Sequence, residues 1–195
     1  MNLAIIKYNA GNIQSVTYAL ERLGITPILT DDPEEIRRAD KVIFPGVGEA
    51  STAMRYVREA NLQHLIPDLK QPVLGICLGM QIMCRHSEEN DTDCLGIFDL
   101  EVKRFPEGEQ KVPHMGWNKL TDLKTPLMQG LPADAFVYFV HSYYAELDDA
   151  CIAQSDYVLP FAAALHKDNF YATQFHPEKS GKVGAKILQN FIELI

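Results

Sequence analysis

No apolar run in this 195-residue chain approaches the roughly 18 residues needed to cross a bilayer. Positive charge is scarce as well. Eighteen lysines and arginines stand against 26 acids, a net charge of −8 without any basic block, which argues against nucleic acid as a partner. There are only four cysteines, Cys77, Cys84, Cys94 and Cys151, and none has the paired spacing of a disulfide framework or a zinc site. No combination of them with the six histidines, Cys84 and His86 included, makes a credible ligand set, so no metal and no other cofactor is expected. The opening residues, Met1 to Lys7, carry a short apolar run and no basic leader, which argues against a signal peptide and for a cytoplasmic protein. With 47% hydrophobic residues the chain can bury one sizeable core, and a single domain over residues 1–195 is the expectation.

Strand and helix patterns alternate along the first half. Leu3 to Tyr8, Ile25 to Leu29 and Lys41 to Phe44 read as strands, with helices from Ile13 to Leu23, near Asp31 to Glu35 and from Ala50 to Ala60. The turn Asn9-Ala10-Gly11-Asn12 separates the first strand from its helix. This alternation predicts a parallel α/β sheet, whose ligands sit beyond the carboxyl ends of the strands. From Gly96 to Leu165 shorter runs, at 98–102, 136–140, 143–147, 151–155 and 161–165, read as antiparallel strands packed against or extending the first sheet, which makes the sheet mixed.

The densest signal is Pro72-Val73-Leu74-Gly75-Ile76-Cys77-Leu78-Gly79-Met80-Gln81-Ile82-Met83. A buried strand ends here and a helix begins, with Cys77 on the turn and glycines two residues to either side, the spacing of a nucleophile elbow. The helix start directs its free N–H groups and positive dipole end at the sulfur and favours the thiolate. The N–H of Leu78 is also on offer to an oxyanion. Cys84, Cys94 and Cys151, which lack such surroundings, read as inert buried thiols. A second loop, Pro45-Gly46-Val47-Gly48-Glu49, follows a strand directly; its paired glycines let Val47 or Gly48 aim an N–H inward, although a plain turn or a phosphate loop has the same composition.

Phe170 to Phe175 forms another strand pattern that runs into His176-Pro177-Glu178. Residues two apart in extended chain point the same way, so His176 and Glu178 can align as the imidazole and carboxylate that a cysteine nucleophile requires. His64 and His86 lie in polar surroundings, whereas His114, His141 and His166 lie in or beside apolar runs and read as structural. The one tryptophan sits in Lys111 to Lys119, a Pro-, Gly- and Asn-bearing segment that is equally a contact surface or an anchored loop.

These motifs resemble the class I glutamine amidotransferases, through Gly75 to Gln81 together with Phe175-His176-Pro177-Glu178. Within that family the stretches Pro45 to Gly48, Pro113-His114-Met115-Gly116-Trp117-Asn118 and His141-Ser142-Tyr143 are similar to the glutaminase subunits that serve histidine biosynthesis. Lys7-Tyr8-Asn9 stands where such proteins often read Asp-Tyr-Gly. The resemblance implies a flavodoxin-like fold with a mixed central sheet flanked by helices. It implies that Cys77, His176 and Glu178 hydrolyse L-glutamine through a glutamyl thioester, that Leu78, Val47 and Gly48 form the oxyanion site, and that Gly48, Gln81, Ser142 and Tyr143 hold the substrate. It further implies a heterodimer with a (β/α)8-barrel cyclase, touched through His114, Met115, Trp117 and Asn118, to which the ammonia passes. The glutaminase subunit of another amidotransferase and a free-standing thiol hydrolase of the same fold are the competing readings.

Overall fold

The computed structural model describes residues 1–8, 12–108 and 110–195, so Asn9, Ala10 and Gly11 of the first expected turn lie outside the described residues. The chain opens with β1 (Leu3–Ile6), α1 (Ile13–Glu21), β2 (Ile28–Thr30) and α2 (Pro33–Arg38). The start of α2 is set locally: an Asp32 oxygen accepts from the N–H groups of Glu34 and Glu35 at 2.7 and 3.1 Å, and Pro33 fills a position whose N–H has no helical partner. Next come β3 (Lys41–Gly46), α3 (Ala50–Glu59), α4 (Leu62–Asp68), β4 (Val73–Cys77) and α5 (Leu78–Met83). β3 runs two residues further than its apolar pattern and carries Pro45 and Gly46 into the sheet.

The second half contributes β5 (His86–Ser87), β6 (Thr92–Asp93), β7 (Glu101–Arg104), β8 (His114–Lys119), β9 (Phe136–His141), β10 (Tyr143–Ala145), β11 (Cys151–Asp156), β12 (Pro160–Lys167), β13 (Phe170–Thr173) and α6 (Gly181–Glu193). The main sheet has the order β11-β12-β13-β4-β3-β1-β2. β2, β1, β3, β4 and β13 are parallel neighbours, and β12 and β11 extend the sheet antiparallel. The mixed sheet expected from the pattern is therefore present. Not all of the later strands join it: β10, β7, β5 and β6 make a separate four-stranded sheet, and β8 pairs with β9 as a two-stranded ribbon. The acidic stretch 88–93 is the tip and return of the β5–β6 hairpin, turned by Asn90 and Asp91 at φ of 53° and 46°.

Both faces of the main sheet are covered. Ala4, Ile6, Val42 and Phe44 face a core shared with α2 to α5, while Leu3, Ile5 and Ile43 face a second core shared with α1 and α6. Alternate residues of a single strand thus enter opposite cores, which is why β1 and β3 read as unbroken apolar runs. No helix among the described residues is long and apolar enough to cross a membrane.

Candidate active site

The carboxyl ends of β3, β4 and β13 meet at one edge of the sheet. Their register sets Gly46 opposite Cys77 and Ile76 opposite Thr173, so the residues that follow, the 47–49 loop, Leu78 and Gln174 to Glu178, crowd into one place. Cys77 sits there at φ 55° and ψ −108°, a backbone conformation that costs a residue other than glycine of the order of 1–3 kcal/mol. The flanking glycines permit it, though not symmetrically. A Cβ at Gly75 would stand 3.1 Å from the Gly79 carbonyl carbon and 2.7 Å from the Met83 sulfur, whereas one at Gly79 would collide with the Phe44 carbonyl oxygen of the neighbouring strand. Gly79 is therefore required by the approach of α5 to β3, a constraint outside the turn itself.

His176 is fully buried, and its Nδ1–H donates to Glu178 Oε1 at 2.7 Å, which leaves Nε2 on the side of the sulfur without a well-formed bond of its own. Burial alone would push this imidazole down. The charge of Cys77, together with the hydrogen bond to Glu178, outweighs burial and raises it to about 10. The ring thus keeps a proton whenever the sulfur carries a charge. The backbone of His176 is tied to β9, its N–H donating to the Tyr138 carbonyl at 2.9 Å. Ser180 Oγ donates to the His176 carbonyl at 2.6 Å and accepts from the Tyr138 N–H at 2.9 Å.

Cys77, Leu78, Val47, Gly48, Gln81, Ser142, Tyr143, His141 and His176 line one cavity of about 300 Å³, with Glu89, Pro113 and Val140 completing its wall. Every residue assigned to nucleophile, oxyanion and substrate contacts is in or against this cavity, Glu178 standing behind His176. Gln81 donates through Nε2 to the Tyr143 carbonyl and to Gln174 Oε1, both at 3.0 Å. The 114–118 segment is strand β8, and alternation splits it: Met115 and Trp117 are 63% and 56% exposed, while His114 is buried against Tyr157 and Phe139. His114 therefore faces away from any partner that binds the exposed side, and Asn118 donates inward to the Asp156 carbonyl at 2.7 Å.

Three contributors escape the sequence pattern. Asn12 reaches across from the start of α1 and donates through Nδ2 to the same Glu178 oxygen that holds His176. Gln174 Nε2 stands 3.8 Å from Cys77 Sγ; its only trace in the sequence is an amide within an apolar strand. Glu89, at the tip of the β5–β6 hairpin, is half-buried in the cavity wall, accepts from the Ala50 N–H at 2.7 Å, and is raised by burial. Nothing in an acidic surface-like stretch marks one acid out. Of the remaining thiols, Cys84 and Cys151 are buried as expected and Cys94 is partly buried; burial raises all three, Cys94 to about 12.

A cysteine strained onto a helix start, a buried His–Glu pair beside it and a cavity walled by the Val47–Gly48 loop make the arrangement that a thiol amidohydrolase needs, and the chain belongs to the glutamine amidotransferase class-I family, which matches residues 4–194. Among its relatives, a Bacteroides fragilis protein named imidazole glycerol phosphate synthase subunit HisH is 61% identical over 196 residues, covering all of both chains. Proteins of the same name from Bacteroides thetaiotaomicron and Escherichia coli are 59% and 47% identical, again over the full length of each. Solved structures share the fold at lower identity. A crystal structure of a glutamine amidotransferase superposes with a TM-score of 0.76 at 20% identity, covering 98% of this chain and 97% of that one. The structure of PurLQS from Thermotoga maritima gives 0.75 at 16% identity, with 99% and 98% covered.

Proposed function

We propose that the chain, as one amidotransferase domain, is the glutaminase subunit of an imidazole glycerol phosphate synthase, acting in the cytoplasm in histidine biosynthesis and supplying ammonia to a (β/α)8-barrel cyclase partner. The observation that carries the chemistry is the parallel pairing of β13 with β4, which brings the His176–Glu178 pair to the strand tip that bears Cys77. Full-length relatives at 47–61% identity support the pathway.

In this reading the Cys77 thiolate attacks the side-chain amide carbon of glutamine, and the carbonyl oxygen takes up negative charge. The N–H of Leu78 and one from Val47 or Gly48 stabilise it, each such donor contributing about 3 kcal/mol in the transition state. The protonated His176 gives its proton to the departing nitrogen as the carbon–nitrogen bond breaks, which releases ammonia and leaves a glutamyl thioester. His176, now neutral, takes a proton from water as that water attacks the thioester carbon; the carbon–sulfur bond then breaks, which restores the Cys77 thiolate, and glutamate leaves. Glu178 and Asn12 hold the imidazole with its proton on Nδ1, so that Nε2 does both transfers. Gln81, Ser142 and Tyr143 bound the amino-acid end of the cavity, and Glu89 supplies an anion for the substrate ammonium. Ammonia freed into water at neutral pH becomes mostly ammonium, which is no nucleophile, so transfer to a docked cyclase keeps it reactive.

Cys77→Ala tests this directly. In complex with the cyclase it should abolish glutamine-dependent formation of imidazole glycerol phosphate and aminoimidazole carboxamide ribotide, yet leave synthesis from added ammonium salts intact. A glutamine-like diazo ketone should add one adduct to wild-type Cys77, seen by mass spectrometry. Retained glutamine-dependent synthesis in Cys77→Ala would refute the assignment.

A further inference from the structure

The loop at Val47 and Gly48 is a partition between two cavities. On one side is the catalytic cleft, and on the other is a cavity of about 290 Å³ whose wall includes Tyr8, Val47, Gly48, Thr52 and Tyr56. Tyr8 lies two residues beyond β1 and is 4% exposed, its ring packed against Phe44 and Tyr56 at centroid distances of 5.3 and 6.1 Å. Its hydroxyl has no hydrogen-bond partner among the described residues. It stands against the backbone of Gly46, where a Cβ would collide with it. A buried hydroxyl of this kind is a donor free for another arrangement of the adjoining loop to engage.

The oxyanion reading supplies that arrangement. The N–H of Val47 and the carbonyl of Gly46 belong to one rigid peptide plane and point in opposite directions. When the N–H is turned into the cleft to meet an oxyanion, the carbonyl is turned to the rear, the side on which the Tyr8 hydroxyl stands. Such a rotation changes ψ of residue 46 and φ of Val47, and the missing Cβ of Gly46 makes the first of these changes cheap. We propose that Tyr8 is a positioning residue for the glutaminase reaction: its hydroxyl donates to the Gly46 carbonyl in the reactive state and so holds the 46–47 peptide with its N–H facing the substrate. The inference rests on the glutaminase reading above and adds a residue that touches neither glutamine nor the triad.

Tyr8→Phe, assayed for glutaminase in complex with the cyclase and its nucleotide substrate, tests it. One hydrogen bond that exists only in the reactive state predicts a fall in kcat of about five- to tenfold, with KM for glutamine unchanged. The melting temperature should hold or rise, because the phenyl ring keeps the packing and the unsatisfied oxygen is gone. Rates are expressed per Cys77 titrated by the diazo ketone, so any misfolded fraction drops out. A kcat per titrated site equal to wild type overturns the proposal, and so does a change confined to KM. A wild-type complex that releases no glutamate from glutamine defeats the glutaminase reading itself; an active wild type with an unaffected Tyr8→Phe defeats only the role of Tyr8.

Discussion

His114 and His141 show how far hydrogen bonding alone specifies a side chain. The Tyr143 carbonyl can only accept, so His141 carries its proton on Nδ1, 2.7 Å from that oxygen. Its Nε2 must then accept from His114 Nδ1 at 3.0 Å, which leaves His114 Nε2 as the acceptor that faces the Asn118 amide at 3.4 Å. Both rings are held neutral: burial lowers His114 to about 4, and burial, partly countered by the Tyr143 bond, lowers His141 to about 3. The sign follows from proton counts. Below about pH 6.5 the unfolded chain protonates these imidazoles and the folded one does not, so stability falls as pH drops from about 6.5 toward 4 for His114 and toward 3 for His141. His114→Phe, which keeps the stacking on Tyr157 and Phe139, should flatten the dependence of urea-unfolding free energy on pH in that window by up to about 1.4 kcal/mol per pH unit, one proton's worth. An unchanged slope between pH 4.5 and 6.5 would show that His114 titrates freely.

At the scale of elements, the turn that carries Glu178 is wedged by a helix. Residues Pro177–Lys179 form a single 3₁₀ turn, and α6 begins two residues later with Gly184 in its first turn and a half. A Cβ at Gly184 would run into the Pro177 carbonyl and stand 2.8 Å from the Ser180 Cβ. Ser180 in turn bridges the His176 carbonyl and the Tyr138 N–H. Gly184→Ala should therefore push the Pro177–Ser180 turn away from α6, lower stability by about 1–3 kcal/mol as overpacking does, and cut glutaminase kcat although residue 184 is remote from the substrate. Thermal melting and steady-state kinetics on one preparation would check both; a variant with wild-type melting and wild-type kcat would mean that α6 can shift without moving Glu178.

For the molecule as a whole, the ribbon of β8 and β9 presents an apolar face outward. Register places Trp117 opposite Tyr138 and Lys119 opposite Phe136, so Met115, Trp117 and Phe136, all exposed, lie on one side of it. The opposite side buries His114, Phe139 and His141 beside the cavity, and the Tyr138 backbone holds His176. A partner seated on the outer face would thus press on the same two strands that frame the active site. Trp117→Ala should weaken association with the cyclase tenfold or more, since exposed aromatic anchors at an interface are worth about 2 kcal/mol, while the melting temperature of the isolated subunit stays nearly constant. Titration calorimetry reads the first and a thermal melt the second. Unchanged assembly together with unchanged glutamine-dependent synthesis would remove this ribbon from the interface.

What the sequence alone determined is local: period, caps and short-range sterics act over a few residues and are written where they act. Glycines two residues to either side of Cys77, the His-Pro-Glu run at the end of an apolar strand, and the Asp32–Pro33 start of α2 could all be read before any folding. Tertiary structure decided which strand lies beside which. The insertion of β13 against β4, in a register that sets Thr173 across from Ile76, follows from burying two sheet faces at once, and no stretch of sequence encodes it by itself. The same long-range packing recruited Asn12, Gln174, Glu89 and Tyr8, polar groups from three separate segments whose roles exist only once the strand tips have met.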